Sequence, residues 1–387
     1  MKIIIKSKYV SKYKKGYPLI NEETKSKNGD ILTLVDENSK FLARGYAGKQ
    51  NKGTGWILTL DQEERIDDKF FDKKIKEAVK YRKSFFESEV TNAFRVFNNE
   101  GDGIGGMTID YFDGFVLINW YNKGIIKFRG EILKAIKNNI KYKGIYEKKR
   151  FGDSGTYVEE DEFVCGNRAS FPIIVKENNV NFAIYFDDGA MVGVFLDQRD
   201  VRRKIMERYA NNKIALNTFS YTGAFSVFAA LGGAKKTVSV DLANRSREKT
   251  EEHFALNGVD FNANEIIVED VFNYFKYAEK KNLMYDLIVL DPPSFARSKK
   301  FKFSANKDYK DLLKQIIKIT RKNGVIVAST NCALFNMTKF KEFIKLAFEE
   351  SNKEYEILES ETLPRDFKTL KEFKEGNYLK VCFIKVK

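Results

Sequence analysis

The stretch that most constrains this chain runs from Leu216 to Cys332. Short apolar runs recur along it, and each ends on polar or acidic residues. The first leads into Asn217-Thr218-Phe219-Ser220-Tyr221-Thr222-Gly223-Ala224. The run at 237–240 ends on Asp241, and 265–268 leads to Glu269-Asp270. The run at 286–290 ends in Asp291-Pro292-Pro293-Ser294-Phe295, and 324–328 runs into Ser329-Thr330-Asn331-Cys332. Apolar runs alternating with helical stretches predict an α/β domain with a parallel, doubly wound sheet. The polar ends then share one edge, outside the carboxyl ends of the strands, where such sheets bind ligands.

The spacing of the acids narrows the ligand. The first loop has one glycine, Gly223, and no Lys-Ser/Thr pair, so it is neither a GxGxxG fingerprint nor a P-loop. A ligand without a pyrophosphate fits better. Asp241 lies about twenty residues after the loop, where a carboxylate accepts from ribose hydroxyls. Asp270 is placed to accept from an adenine amino group. Asp291-Pro292-Pro293 offers a carboxylate and rigid, outward carbonyls beside a reactive atom. Together these suit S-adenosylmethionine. One acid after a strand is most simply a helix cap; three at successive strand ends, with Asp-Pro-Pro among them, point to a ligand.

The chain has 387 residues, enough for two or three domains, with 43% hydrophobic residues to build cores. Its net charge of +14 attracts a polyanion, and 14% aromatic residues supply stacking surfaces, although lysine-rich composition alone raises the charge. Three cysteines, Cys165, Cys332 and Cys382, form neither a disulfide framework nor a CxxC metal pair. The first residues lack an apolar signal core and no run reaches membrane-spanning length, so a cytoplasmic protein with no membrane partner is expected.

Residues 1–70 read as short strands and turns: 1–7, 31–35, 41–47 and 56–60, the last two separated by a basic loop over 49–55. That pattern predicts a small β-barrel. Residues 71–190 read as an α+β domain. It has a helix over 73–92, a glycine-rich turn at 100–106, a hairpin of 107–111 with 115–120, a helix over 126–139, and strands at 144–148 and 180–186. Residues 191–387 form the third domain. Its helix, running to Tyr209, is expected to be capped by Asp197, with Gln198 and Arg199 in its first turn. The sole histidine, His253, is read as a packing or surface residue rather than a catalytic base.

Three stretches carry a resemblance: Phe195-Leu196-Asp197-Gln198-Arg199, Thr218-Phe219-Ser220-Tyr221-Thr222-Gly223 and Asp291-Pro292-Pro293-Ser294-Phe295-Ala296. They resemble the class I S-adenosylmethionine-dependent methyltransferases of bacterial 23S ribosomal RNA that carry an N-terminal PUA domain and make 5-methylcytosine. The resemblance spans nearly the whole chain. It implies a PUA-like barrel, a small central α+β domain and a Rossmann-like methyltransferase domain, with ribosomal RNA as partner. It implies that Phe219, Ser220, Tyr221, Thr222 and Gly223 wrap the methionine part of the cofactor. Asp241 would hold the ribose and Asp270 the adenine. Asp291 and Pro292 would lie between sulfonium and base, with Gln198 and Arg199 near the cofactor. The oligomeric state stays open, a homodimer included.

One departure bears on the chemistry. Cytosine C5 methylation needs a thiolate to attack C6, and the family's nucleophile sits just after the fifth strand. Aligning Ala333-Leu334-Phe335 with the family's Gly-Leu-Met puts Asn331 at that position and Cys332 one residue late. Cys332 is still the only cysteine at a sheet carboxyl end, and it is the expected nucleophile; a small buried apolar residue is the competing reading. Without a thiolate, Asp291-Pro-Pro-Ser-Phe still permits direct transfer to a base nitrogen, with guanine the alternative substrate. Methylation of DNA or a small molecule, and a non-catalytic RNA-binding protein keeping the fold, are further readings.

Overall fold

The computed structural model describes residues 1–50, 53–151, 162–189, 191–297 and 302–387. The chain forms two compact units. The first comprises Met1–Asn179, Ile184–Val192 and Arg365–Gly376; the second comprises Val180–Ala183, Gly193–Pro364 and Asn377–Lys387.

The first unit begins with a curled five-stranded sheet. Its strands are β1 (Lys2–Ile4), β2 (Leu19–Ile20), β3 (Ile31–Val35), β4 (Phe41–Gln50) and β5 (Gly53–Thr59), in the order β1-β3-β4-β5-β2. The expected strand over 1–7 is shorter, because a helix, α1 (Ser7–Lys14), starts at Ser7 and buries Tyr13. The expected loop over 49–55 is also mostly strand: Gln50 pairs with Gly53. Residues 51 and 52 lie outside the described residues.

Helix α2 (Asp68–Tyr81) follows. Asp67 caps it, accepting from the amides of Lys69 and Phe70 at 3.0 and 3.2 Å. It stops earlier than the sequence pattern suggests, since Arg82 leaves helical geometry (φ −104°, ψ 18°) before the short α3 (Lys83–Phe86). Strands β6 (Ala93–Asn98), β7 (Met107–Phe112), β8 (Phe115–Trp120), β9 (Gly144–Lys149) and β10 (Phe163–Gly166) make a second sheet in the order β10-β9-β8-β7-β6, with α4 (Arg129–Asn139) connecting β8 to β9. Tyr46, Trp56 and Leu58 of the curled sheet join Phe71, Phe94, Ile118 and Trp120 in one core cluster. The segment Arg365–Gly376 belongs here too. Arg82 donates to the Asp366 carbonyl, and a Cβ on Gly101 would stand 1.8 Å from the Lys368 carbonyl oxygen, so only glycine fits that crossing.

Strands β11 (Ile173–Glu177) and β12 (Val180–Ile184) precede the second unit's main sheet. That sheet has seven strands: β13 (Ile214–Thr218), β14 (Lys236–Asp241), β15 (Asn264–Val268), β16 (Tyr285–Leu290), β19 (Thr320–Thr330), β20 (Tyr355–Glu361) and β21 (Lys380–Val386). Their order is β15-β14-β13-β16-β19-β21-β20. Between β16 and β19 lies a small ribbon of β17 (Phe295–Arg297) and β18 (Lys302–Ser304). The five strands expected from sequence pair in parallel, and β21 closes on β19 antiparallel.

Helices cover both faces of the large sheet. On one side α8 (Val271–Lys280), α9 (Ala305–Lys318) and α10 (Met337–Glu350) contribute Phe275, Leu313 and Ile344 to a cluster over Leu216, Ile288 and Ile326. On the other, α5 (Arg199–Lys204) and α6 (Ala224–Leu231) pack Val201 and Phe225 over Ala215, Leu287 and Val327. Successive strand residues point to opposite faces, and both are buried, which explains the uninterrupted apolar runs. Helix α7 (Arg245–Leu256) follows β14. Among the described residues, no helix is long and apolar enough to cross a membrane.

Candidate active site

The register of the large sheet brings its polar ends together. Thr218 lies opposite Val240 on one side and Leu290 on the other, and Leu290 lies opposite Ala328. The next residues, Phe219, Asp241, Asp291 and Ser329, therefore leave the sheet at one level.

The loop after β13 is held in a costly shape. Phe219 (φ 54°), Tyr221 (φ 53°) and Gly223 (φ 73°) are all left-handed, a conformation that costs a non-glycine residue about 1–2 kcal/mol. Three contacts fix it. The Tyr221 amide donates to Asp241 Oδ2 at 2.8 Å, the Ser220 amide to the Val240 carbonyl at 3.1 Å, and Thr222 Oγ1 to the Gly193 carbonyl at 2.7 Å. Beneath it, His253 of α7 sets Nδ1 2.9 Å from the Thr222 carbonyl, and burial lowers its pKa, so it is a neutral support for the loop. A Cβ on Gly223 would meet Thr250 Cγ2 at 2.4 Å, so this position needs glycine for space as well as for φ.

Asp241 and Asp270 each accept from backbone amides, whereas Asp291 is held by side chains. Asp241 accepts from Tyr221 and, through Oδ1, from the Ala243 amide at 2.9 Å. Asp270 caps α8, with Oδ1 receiving the Phe272 and Asn273 amides at 2.9 and 3.4 Å. Capping occupies one oxygen, leaving the other free to face a ligand. Asp291 Oδ2 accepts from Gln198 Nε2 at 3.1 Å, and that amide also donates to Ser329 Oγ at 2.8 Å. Burial pushes the Asp291 carboxyl up to about 6; a hydrogen bond from Ser329, and to a lesser degree Arg202 and Gln198, oppose the shift, while Asp197 adds to it. Asp197 is not the expected helix cap. It sits in a 3-10 turn (Leu196–Gln198) and receives the Tyr378 hydroxyl at 2.7 Å. Arg199, the first residue of α5, is buried.

Past β19 the neighbours Asn331 and Cys332 diverge. Asn331 is exposed, and its Oδ1 accepts from Ser294 Oγ at 2.6 Å. Cys332 is 3% exposed and belongs to the hydrophobic cluster with Phe340 and Cys382. Its carbonyl receives the buried Lys380 ammonium at 2.9 Å, and burial pushes that ammonium's pKa down to about 8, with Cys332 opposing. Pro292 is buried, while Phe295 is 67% exposed beside it. Asn217, read from the sequence only as the start of the loop, is a buried amide inside β13 that donates to Ser226 at 3.0 Å. Its signal was a polar residue inside an apolar strand.

Gln198 Oε1, Asn217 Oδ1 and Ser220 Oγ are buried with no hydrogen-bond partner among the described residues. Buried polar atoms left so cost about 1–3 kcal/mol each. Two carbonyl acceptors and a hydroxyl match an amino-acid end: the amides accept from an ammonium and the hydroxyl donates to a carboxylate. This agrees with the methionine part of S-adenosylmethionine.

The sequence profile of S-adenosylmethionine-dependent methyltransferases matches residues 159–352, half of the chain. The chain belongs to that family. A PUA-like domain matches residues 3–60, the curled sheet. S-adenosylmethionine is thus the cofactor of this methyltransferase, whose core is a class I Rossmann-like domain. Among relatives, the Bacillus subtilis protein named "Putative ribosomal RNA large subunit methyltransferase YwbD" is 56% identical over all of both chains. "Ribosomal RNA large subunit methyltransferase I" of Alteromonas mediterranea is 30% identical over 92% of this chain and 90% of its own. The crystal structure of SMU.776 complexed with SAH superposes over 100% of both chains with a TM-score of 0.93 at 38% identity.

Proposed function

We propose that this methyltransferase modifies a base of large-subunit (23S) ribosomal RNA, by direct transfer to a base nitrogen, with guanine the favoured base. Relatives along the whole chain carry names for large-subunit ribosomal RNA methylation. The +14 charge and the PUA-like sheet suit an RNA partner. The observation that carries the choice of chemistry is the split between Asn331, exposed and bonded to Ser294, and Cys332, buried in the core.

When bound, S-adenosylmethionine supplies an electrophilic methyl group on a sulfonium. Gln198, Asn217 and Ser220 hold its amino-acid end, Asp241 its ribose and Asp270 its adenine. Asp291, with the Pro292 carbonyl, orients the base so that the nitrogen lone pair points at the methyl. A new N–C bond forms as the S–C bond breaks. The ionised Asp291 then takes the proton of an amino nitrogen, or stabilises the charge of a ring nitrogen that carries none. Phe295 offers a face for the base to stack on.

Cytosine C5 methylation through Cys332 is the second reading. Its support is position: Cys332 follows the carboxyl end of β19, which closes at Thr330. Mass spectrometry of ribosomal RNA nucleosides from cells with and without the gene separates the two. The first reading expects one methylated purine to vanish with the gene. Loss of 5-methylcytosine instead would overturn direct transfer, and no change in ribosomal RNA would overturn the substrate.

A further inference from the structure

Helix α2 has one apolar side, with Phe70, Phe71, Ile75 and Ala78 in the core of the first unit. Its other side carries Lys69, Lys73, Lys76 and Lys80, all exposed. The spacing i, i+4, i+7, i+11 stacks them in one line along the helix, and Lys83 continues the period past the break at Arg82. Eleven residues at 1.5 Å each make the row about 16 Å long. Lys134 of α4 faces the row across a cleft of about 600 Å³ that Asp68, Asp72, Glu77 and Asn138 also line.

The nearby acids neutralise the row only in part, with Glu64 and Glu77 acting on Lys73. Asp68 pairs with Lys134, and Asp72 receives the amides of Asn138 and Asn139 at 3.1 and 2.8 Å. Glu64 holds Lys73 at 2.9 Å. Lys69, Lys76 and Lys80 have no ion-pair partner among the described residues. Like charges on successive turns oppose helix formation by a few tenths of a kcal/mol per pair. Folding therefore gains no ion pair from Lys69, Lys76 and Lys80, whereas a line of anions would pair with them.

We propose that the lysine row of α2 is a docking surface for the phosphate backbone of the RNA substrate, with Lys69, Lys76 and Lys80 its main contacts. The proposal rests on the ribosomal RNA reading. Single-file charges follow a strand of phosphates. A membrane surface is a poorer match, since the apolar side of α2 is committed to the core and cannot insert.

The test uses the full chain with Lys69→Gln, Lys76→Gln and Lys80→Gln together, alongside the triple arginine variant. Affinity for a large-subunit ribosomal RNA fragment is measured between 50 and 200 mM salt. Each lost phosphate contact should lower the slope of log K against log salt by roughly 0.7–0.9, so the glutamine variant should lose about 2–3 in slope and at least tenfold in affinity. The arginine variant should bind as the wild type does, and the S-adenosylmethionine dissociation constant should not move in either. If the wild type methylates ribosomal RNA while the glutamine variant keeps the wild-type slope, this surface is wrong and the function stands. If the wild type neither binds nor methylates ribosomal RNA, both readings fall. Lost binding to anionic lipid vesicles with an unchanged RNA slope would also overturn the assignment.

Discussion

Replacing Cys332 decides between direct transfer and a covalent route. The side chain is 3% exposed among apolar neighbours. Cys332→Ala removes one sulfur and leaves a small void, at a cost of about 1 kcal/mol. Cys332→Ser puts a hydroxyl into apolar surroundings, at about 1–3 kcal/mol. For a domain of this size each kcal/mol lowers the melting temperature by roughly 2–4 °C. Both variants should therefore melt a few degrees early and bind S-adenosylmethionine normally. Under direct transfer their kcat should stay within about threefold of wild type, less than 1 kcal/mol at about 1.36 kcal/mol per decade. A lost covalent nucleophile would instead cost on the order of 10⁴–10⁶-fold. The assay counts labelled methyl groups entering ribosomal RNA at a temperature where each variant is folded. A second arm offers the wild type 5-fluorocytosine RNA, which traps an enzyme that attacks C6. A folded, cofactor-binding Cys332→Ala protein that has lost activity, together with trapping of the wild type, would refute the reasoning.

Three further outcomes are expected. Asp241→Ala strips the Tyr221 and Ala243 amides of their acceptor; with a charged hydrogen bond worth roughly 1.5–3 kcal/mol, the cofactor should bind at least about tenfold more weakly by calorimetry, and an unchanged dissociation constant would sink the ribose assignment. Because the folded Asp291 carboxyl is pushed up to about 6, methyl transfer should rise with pH through that value. The same upward shift makes its ionisation oppose folding between the unfolded carboxyl's pKa of about 4 and 6, so the stability gap should move in favour of Asp291→Asn over that interval and stay level above it; a constant gap in denaturant titrations, or a flat activity profile, would contradict the shift. Lys380 has its pKa lowered to about 8, so above that pH the unfolded chain holds the proton and the folded one does not. Wild type should then gain stability over Lys380→Met from pH 8 to 10 in denaturant titrations, and a constant gap would disprove the shift.

The parallel part of the large sheet was legible because β13, β14, β16 and the carboxyl half of β19 are buried on both faces, which writes each as an apolar run ending in a polar residue; the half-exposed edge strand β20 (YEILESE) carries no such run. The left-handed backbone of the Phe219–Gly223 loop was not: its single glycine showed which phosphate-binding loops it is not, and two of its three left-handed residues are aromatic. The α1 helix was not: Lys6-Ser7-Lys8-Tyr9-Val10 has no strong helical period, and the helix exists because tertiary packing buries Tyr13. Asp197 carried the residue type and spacing of a cap, yet a hydroxyl distant in sequence, Tyr378, claims it. The opposite environments of Asn331 and Cys332 also escaped local reading, because the chain leaves the strand there and alternation no longer assigns faces. The shared core of the curled sheet and the α+β part was equally hidden. It weakens any test that deletes residues 1–70, since Trp56 and Tyr46 would be lost from that core.

The return of Arg365–Gly376 into the first unit carries a consequence for synthesis. Arg82 reaches the Asp366 carbonyl across 284 residues of chain. At roughly 5–20 residues per second, about 14–57 s pass between translation of the two. The N-terminal half cannot finish folding as it emerges, and Gly101 keeps an open flank until the late segment arrives. A nascent protein stalled before residue 365 lacks these contacts, and its N-terminal part should be cut by limited proteolysis faster than the same part of the full chain.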